Sequence, residues 1–189
     1  MPRGEDEGIG RDRELLRQLA EGRQQALAEL YDLHAASLFR HALALARHRT
    51  DAEDLVHGVF VKVAGLGANL LGVRSPAGYL HRILHTTWID SHRRSQTADR
   101  FAEEARLGSD AALQGSDPNR APTHDERIDV IRALDVLPPE QREAVVLHVV
   151  EGFSFREIGR MTGVSLFTAA ARYRLAVAKM RTTLTRVTP

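Results

Sequence analysis

The 189-residue sequence contains no cysteine, so it can form neither disulfide bonds nor thiolate metal sites. Aromatic residues make up only 5% of the chain, and β-branched residues never alternate over long runs, which argues against a β-sheet protein. The sequence has no apolar run of about eighteen residues and its N-terminus is too polar for a signal peptide. Abundant Ala, Leu, Arg and Glu favour an all-α fold. We therefore expect a helical, cytoplasmic protein without membrane insertion.

Common enzyme signatures are also missing from the sequence. It has no His-Glu-x-x-His motif, no glycine-rich phosphate loop and no Ser-His-Asp arrangement. Nine histidines raise the alternative of a metal site, since His81 and His85 have helical i, i+4 spacing and His41 precedes His48. Scattered surface histidines are the more common case. We therefore predict no catalytic residues, no metal and no cofactor.

The net charge of +1 conceals an uneven distribution. Residues 95–126 hold three basic and seven acidic side chains, several glycines and prolines, and few large apolar residues. This composition is typical of a mobile linker. It predicts two helical domains, over residues 11–94 and 125–185, joined by a flexible acidic linker over residues 95–124.

The apolar periodicity of the first domain predicts four helices, which begin near residues 11, 24, 51 and 76 and end near 21, 48, 64 and 94. Thr50 is the predicted N-cap of the third helix. Residues 65–75 contain three glycines and precede Pro76, which predicts a loop. In the second domain, helices are expected over residues 125–136 and 139–152, separated by Pro138 and Pro139.

Residues 153–181 have the layout of a helix-turn-helix. Ser154 and Glu157 form the pattern of a capping box, and Gly163 supplies the corner. Ser165 can cap a second helix, and no acidic residue occurs after Gly163. The cations of that second helix are Arg172, Arg174, Lys179 and Arg181. Such a helix can meet DNA phosphates and base edges.

Two blocks of sequence resemble the extracytoplasmic-function (ECF) branch of the bacterial sigma-70 family. Asp-Ala-Glu-Asp-Leu-Val at 51–56, Val-Phe-Val-Lys-Val at 59–63 and the segment 76–94 are similar to region 2. Leu-Pro-Pro-Glu-Gln-Arg-Glu at 137–143 and Glu-Gly-Phe-Ser-Phe-Arg-Glu-Ile-Gly at 151–159 are similar to region 4. The blocks stand in the family's order and cover about three quarters of the chain. The resemblance implies two helical sigma domains.

In the family, the helix that begins at residue 51 docks on the clamp coiled coil of the largest polymerase subunit. The resemblance therefore implies core-polymerase-binding residues at Asp51, Glu53, Asp54, Leu55 and His57. An alternative is that the acidic side chains only favour the helix dipole at the start of the helix. This chain has His57-Gly58 where the family usually has Gln-Glu.

Residues 65–94 correspond to the part of the family that opens and reads the −10 promoter element. Single-stranded DNA binding requires cations and hydrogen-bond donors along a groove. The expected −10 residues are Asn69, Arg74, Arg82, His85, His92, Arg93 and Arg94. A solvated basic face is the alternative for each arginine, and Trp88 is interpreted as core because it shares a helical side with Leu84 and Leu80.

The −35 element is expected to meet the helix-turn-helix. The expected contacts are Arg156, Ser165, Phe167, Thr168, Arg172 and Arg174. The family typically has Thr-Val-Lys-Ser-Arg at the start of the recognition helix, whereas this chain has Thr-Ala-Ala-Ala-Arg at 168–172. Loss of the lysine and the serine removes a cation and a hydroxyl, which predicts weaker or unusual DNA binding.

The resemblance thus implies a sigma factor, not an enzyme, that binds core RNA polymerase and promoter DNA and directs transcription initiation. An anti-sigma factor is a further expected partner. A helix-turn-helix repressor or response-regulator output domain is one rival, but it leaves the first ninety residues unexplained. A second rival keeps the sigma fold but acts mainly through protein interaction, with weak or unusual DNA binding.

Overall fold

The computed structural model describes residues 3–105 and 133–185, with side chains over residues 10–93 and 133–183. The regular secondary structure in these ranges is helical. This confirms the predicted all-α class. Within these ranges, no helix combines the length and the apolarity that crossing a membrane requires.

The first module consists of α1 (Arg3–Ala20), α2 (Gln25–Ala46), α3 (Arg49–Ala64) and α4 (Pro76–Ala105). A short 3₁₀ helix, Gly67–Gly72, occupies much of the stretch predicted as a loop. Leucines and valines from all four α-helices form one continuous core. This burial is the main source of the module's stability, because its helices carry apolar stripes that can be removed from water only by packing together.

Several predicted boundaries of the first module were wrong. Helix α1 begins at Arg3, before residue 11, and α3 is capped at His48 in extended backbone, which places Thr50 inside the helix. Helix α4 continues to Ala105 and not to Arg94, so the first eleven residues of the predicted linker are helical. Residues 95–105 contain neither glycine nor proline, so nothing in their sequence ends the helix. The remaining linker residues, 106–124, lie outside the described part.

The second module contains a helical end at residues 133–135, then α5 (Pro139–Val145), α6 (Phe155–Thr162) and α7 (Leu166–Thr185). The predicted helix over 125–136 otherwise lies outside the described residues. Helix α5 continues as a π-helical turn, Val146–Val150, in which the Glu151 N–H donates to the Val146 carbonyl at 3.1 Å. This wider turn was not expected from the sequence.

The two modules contact each other: α5 lies against α2, and α6 lies against α4. Arg142 on α5 is only 4% exposed and donates Nη1 to the Ala44 carbonyl near the end of α2 at 2.8 Å. The same guanidinium donates to the carbonyls of Leu134 and Leu137 at 2.9 and 2.7 Å. One buried cation therefore satisfies carbonyls from both modules.

Candidate polymerase and nucleic-acid interfaces

The helix-turn-helix is built as its sequence predicts. Ser154 Oγ accepts from the Glu157 N–H, and the Glu157 carboxylate accepts from the Ser154 N–H at 2.9 Å, which completes the capping box. Gly163 ends α6 with φ of 72°, in the left-handed region that favours glycine. Ser165 Oγ accepts from the Thr168 N–H at 3.1 Å and so caps α7. These contacts fix the angle at which α7 leaves the turn.

The start of α7 presents an exposed surface. Phe167 is 76% exposed, and Thr168 and Arg174 are also exposed, whereas Arg172 is half-buried. Ala169 is fully buried against Leu147 and Ile158, so this alanine serves the core of the module and not its surface. The predicted −35 residues that α6 and the turn contribute, Arg156 and Ser165, are exposed beside it.

The acidic face predicted for polymerase binding lies on the first two turns of α3. Asp51, Glu53 and Asp54 are exposed, and His57 is exposed one turn further on. Glu53 accepts from Arg49 Nε at 2.7 Å. Leu55 is buried in the core of the first module, where it holds the helix in place and does not offer a surface.

The predicted −10 residues fall into an exposed group and one exception. Asn69 on the 3₁₀ helix, Arg74 and Arg82 are exposed. Arg13 donates to the Arg74 carbonyl at 3.0 and 2.6 Å, which ties the start of the chain to this segment. On α4, His92 and Arg93 are exposed, and the Arg94 side chain lies outside the described residues.

Trp88 packs against the core of the first module, as its helical position predicts. The His92 ring stacks on it, with ring centroids 5.5 Å apart and planes at 10°. The exposed end of α4 is therefore braced by an aromatic pair.

His85 is the exception among the predicted −10 residues. It is only 5% exposed, and its Nδ1 lies 2.7 Å from Oε1 of Glu143 on α5. In this arrangement His85 faces the second module and offers nothing to DNA. The sequence could not reveal this, because the residue that buries His85 lies 58 positions away in the other module.

A buried polar cluster between the modules, which we call the intermodule cluster, was also missed by sequence reasoning. Its first half is formed by His41, His85 and Glu143, with His41 Nε2 also 2.7 Å from Glu143 Oε1. Burial alone raises the pKa of the Glu143 carboxyl, but the hydrogen bonds from His41 and His85 outweigh it and lower this pKa to about 2. Glu143 is therefore an ionised carboxylate between two histidines.

The second half of the intermodule cluster continues from His41 to the surface. His41 Nδ1 lies 2.9 Å from His81 Nδ1, His81 Nε2 lies 3.0 Å from Ser37 Oγ, and Ser37 donates to Glu151 at 2.5 Å. Burial, followed by the nearby His41 and His34, keeps the pKa of His81 well below its ordinary value. Arg40 at the rim donates to both Glu151 oxygens, at 2.6 and 3.0 Å.

Comparison with known families matches both modules. Residues 30–98 match the sigma-70 region 2 model, and residues 127–180 match the sigma-70 region 4 model. The chain is 38% identical over 150 residues to the ECF RNA polymerase sigma factor SigE of Mycolicibacterium smegmatis, covering 76% of this chain and 56% of that protein. It is 30% identical over 172 residues to the RNA polymerase sigma factor CarQ of Myxococcus xanthus, covering 85% of this chain and 90% of CarQ.

Solved structures share the fold. The sigma factor RpoE of Bartonella quintana, in complex with the anti-sigma factor NepR, superposes with a TM-score of 0.64 at 22% identity and covers 86% of this chain and 98% of RpoE. CnrH, in complex with the cytosolic domain of CnrY, gives a TM-score of 0.67 at 24% identity over 94% of this chain and 99% of CnrH. With both sigma regions matched in order and a relative covered almost throughout, this chain belongs to the sigma-70 family as an ECF RNA polymerase sigma factor.

Proposed function

We propose that this ECF sigma factor binds core RNA polymerase through the exposed acidic face of α3 and promoter DNA through two separate surfaces. Asn69, Arg74, Arg82 and the end of α4 meet the −10 element. The start of α7 meets the −35 element. Sigma factors are transcription initiation factors, and we assign this one no catalytic step of its own and a place in the cytoplasm with RNA polymerase.

The observation that carries this proposal is the exposed start of α7. A capping box and a left-handed glycine fix the turn before it, so Phe167, Thr168 and Arg174 extend from a rigid support. Rigid positioning lowers the entropic cost of docking against a duplex. The absence of acidic residues after Gly163 favours contact with phosphates.

We further propose an anti-sigma factor as a regulatory partner. RpoE and CnrH, whose fold this chain shares, were each solved in complex with such a regulator or with a domain of a partner protein. A protein that binds across both modules would hold the −10 and −35 surfaces in one fixed relation. This would prevent the chain from spanning a promoter.

Neutralising the acidic face of α3 should weaken polymerase binding. We expect the variant Asp51→Asn/Asp54→Asn to bind core polymerase at least about tenfold more weakly, because each lost charge removes a contact to a basic partner. Holoenzyme formation by purified core polymerase and the chain, followed by transcription from its own upstream region, measures this. Asp32→Asn, at an exposed position on α2, is the control for loss of one such charge elsewhere on the first module.

The outcomes of this experiment separate the candidate functions. No holoenzyme with the unmodified chain would refute polymerase binding by this protein. Holoenzyme without initiation would favour the rival function, a sigma-fold protein that acts mainly through protein interaction. That rival is motivated by the alanines of the recognition helix.

Restoring a lysine on the recognition helix should strengthen DNA binding. Ala170 is half-buried at the edge of the exposed surface of α7, so Ala170→Lys can extend its ammonium into solvent. We expect tighter binding to promoter duplex and a salt slope steeper by about one unit, as for one added phosphate contact. Fluorescence anisotropy at several salt concentrations measures both. Ala178→Lys, at an exposed position further along α7, controls for net charge, and an equal gain there would contradict a local effect.

A further inference from the structure

Three side chains of the intermodule cluster converge as a set of metal ligands does. One ring nitrogen of His41 on α2, one of His85 on α4 and a carboxylate oxygen of Glu143 on α5 all lie within 4.8 Å of one another, and all three residues are buried. Two imidazoles and a carboxylate are the ligands of many Zn²⁺ sites that keep a fourth position for water. These ligands are brought together only when the two modules are in contact.

The series of contacts in the intermodule cluster needs one proton more than neutral histidines supply. Four contacts run in series, from Glu143 to His41, His81, Ser37 and Glu151, and each needs one proton between its two atoms. With neutral imidazoles and ionised carboxylates, the side chains of His41, His81 and Ser37 supply only three protons. The series is completed by one added proton or by one metal ion.

Contacts on its other ring nitrogen hold His41 in place. His81 is buried, its Nδ1 lies 2.9 Å from His41 Nδ1, and its Nε2 lies 3.0 Å from Ser37 Oγ. Ser37 then donates to Glu151. These contacts orient the His41 ring so that its Nε2 lies 2.7 Å from Glu143 Oε1. His41 also has the second hydrogen bond by which metal-ligating histidines are oriented.

We propose that His41, His85 and Glu143 bind a divalent transition-metal ion, with Zn²⁺ the best fit, and that the bound ion links the two modules. Bonds of 2.0–2.2 Å in a tetrahedron place ligand atoms about 3.4 Å apart. Each histidine nitrogen, now 2.7 Å from Glu143 Oε1, would move about 0.7 Å away from that oxygen to reach this spacing, and the ligand atoms of the three residues already lie within 4.8 Å of one another. Nitrogen and carboxylate ligands without a thiolate favour Zn²⁺ over Cu⁺.

The consequence of this site is a metal-dependent contact between the modules. His41 and His85 belong to the first module and Glu143 to the second. The complete set of ligands therefore exists only while the two modules are in contact, which we call the closed arrangement. A ligand that binds one arrangement and not the other stabilises the one it binds. The ion would therefore favour the closed chain. A metal ion at this position would depart from the expectation from sequence that the histidines hold no metal.

Metal binding is tested directly on the full chain, stripped of metal by a chelator. Titration calorimetry with Zn²⁺ should give one tight equivalent, with affinity lowered at least about tenfold in His41→Gln, His85→Gln and Glu143→Gln. His48→Gln and His57→Gln, both exposed histidines, should leave it unchanged. Co²⁺ as a spectroscopic probe should give the visible bands of a tetrahedral site with the unmodified chain.

Two results would overturn the site. In the first, the unmodified chain binds Zn²⁺ no more tightly than the His41→Gln/His85→Gln double variant does. That result would show that the ion binds only to scattered surface histidines. Absence of tetrahedral Co²⁺ bands in the unmodified chain would show that a proton completes the cluster, and this arm does not depend on how any variant folds. Neither readout uses polymerase or DNA, so failure here is distinct from failure of the proposed function.

The link between the modules needs a separate measurement. The chain has no cysteine, so Ala64→Cys and Lys179→Cys, both at exposed positions, allow a donor and an acceptor dye on α3 and α7. Energy transfer between them should be lost at a higher urea concentration when Zn²⁺ is present. The same experiment with His85→Gln should show no such increase. An unchanged midpoint in the unmodified chain would overturn the link.

Discussion

Alanine at position 159 should lower the free energy of unfolding of the second module by about 3 kcal/mol. Gly159 is buried in α6, and a Cβ added there would lie 2.7 Å from the Val164 carbonyl oxygen and 3.3 Å from the Leu166 nitrogen. Both neighbours are backbone atoms of the helix-turn-helix corner. No rotamer change can relieve this overlap, so the turn itself must open.

Glycine to alanine at position 58 should instead raise the free energy of unfolding. Gly58 lies in the middle of α3, and its added Cβ would meet only Thr87 Cγ2 at an ordinary 3.7 Å. Gly58→Ala should stabilise the first module by about 0.8 kcal/mol, the usual gain in helix propensity. Urea unfolding followed by circular dichroism measures both variants, and Trp88, the sole tryptophan, reports the first module alone. Equal stability of Gly159→Ala and the unmodified chain would contradict the close approach.

Removal of the Arg142 guanidinium should cost about 3 kcal/mol, in part at the contact between the modules. Methionine keeps most of the apolar stem but leaves the carbonyls of Ala44, Leu134 and Leu137 without their donor. Burial, then the charge of Arg47, lowers the pKa of Arg142, which reflects the cost of placing this cation inside. The three hydrogen bonds must outweigh that cost for the residue to stabilise the fold.

Arg160 provides the matched control for this change, because it is an exposed arginine on α6. Arg160→Met should alter the urea midpoint little, as surface substitutions usually do. If Arg142→Met is no more destabilising than Arg160→Met, the three carbonyl contacts contribute nothing measurable. Energy transfer between dyes on α3 and α7 would show whether the modules separate before either unfolds.

Local features of this protein could be predicted from the sequence because each depends on residues a few positions apart. Ser154 and Glu157 are three residues apart and form the expected capping box. Gly163 takes the left-handed conformation expected at the corner. The apolar stripes of the helices also form the cores that their periodicity indicates. The close approach at Gly159 was not predicted, since it depends on how tightly the turn folds back.

Features that join distant segments could not be predicted. Glu143 contacts histidines 102 and 58 positions earlier, and the sequence gives no reason to pair them. His85 was therefore expected at DNA, although the structure buries it at the contact between the modules. The extension of α4 to Ala105 was missed because composition suggested a linker, while helix propensity and the absence of glycine and proline favoured continuation.

The π-helical turn Val146–Val150 determines the direction in which the next residue leaves the helix axis. Such a turn contains one residue more than an α-helical turn, and one residue corresponds to about 100° of rotation around a helix axis. The residue that follows it, Glu151, reaches Arg40 and Ser37 on the first module. Insertion or deletion of one residue in this turn would point the Glu151 carboxylate away from Arg40 and Ser37, although none of these three residues would be changed. The contact that Glu151 makes with the first module thus depends on the length of one turn.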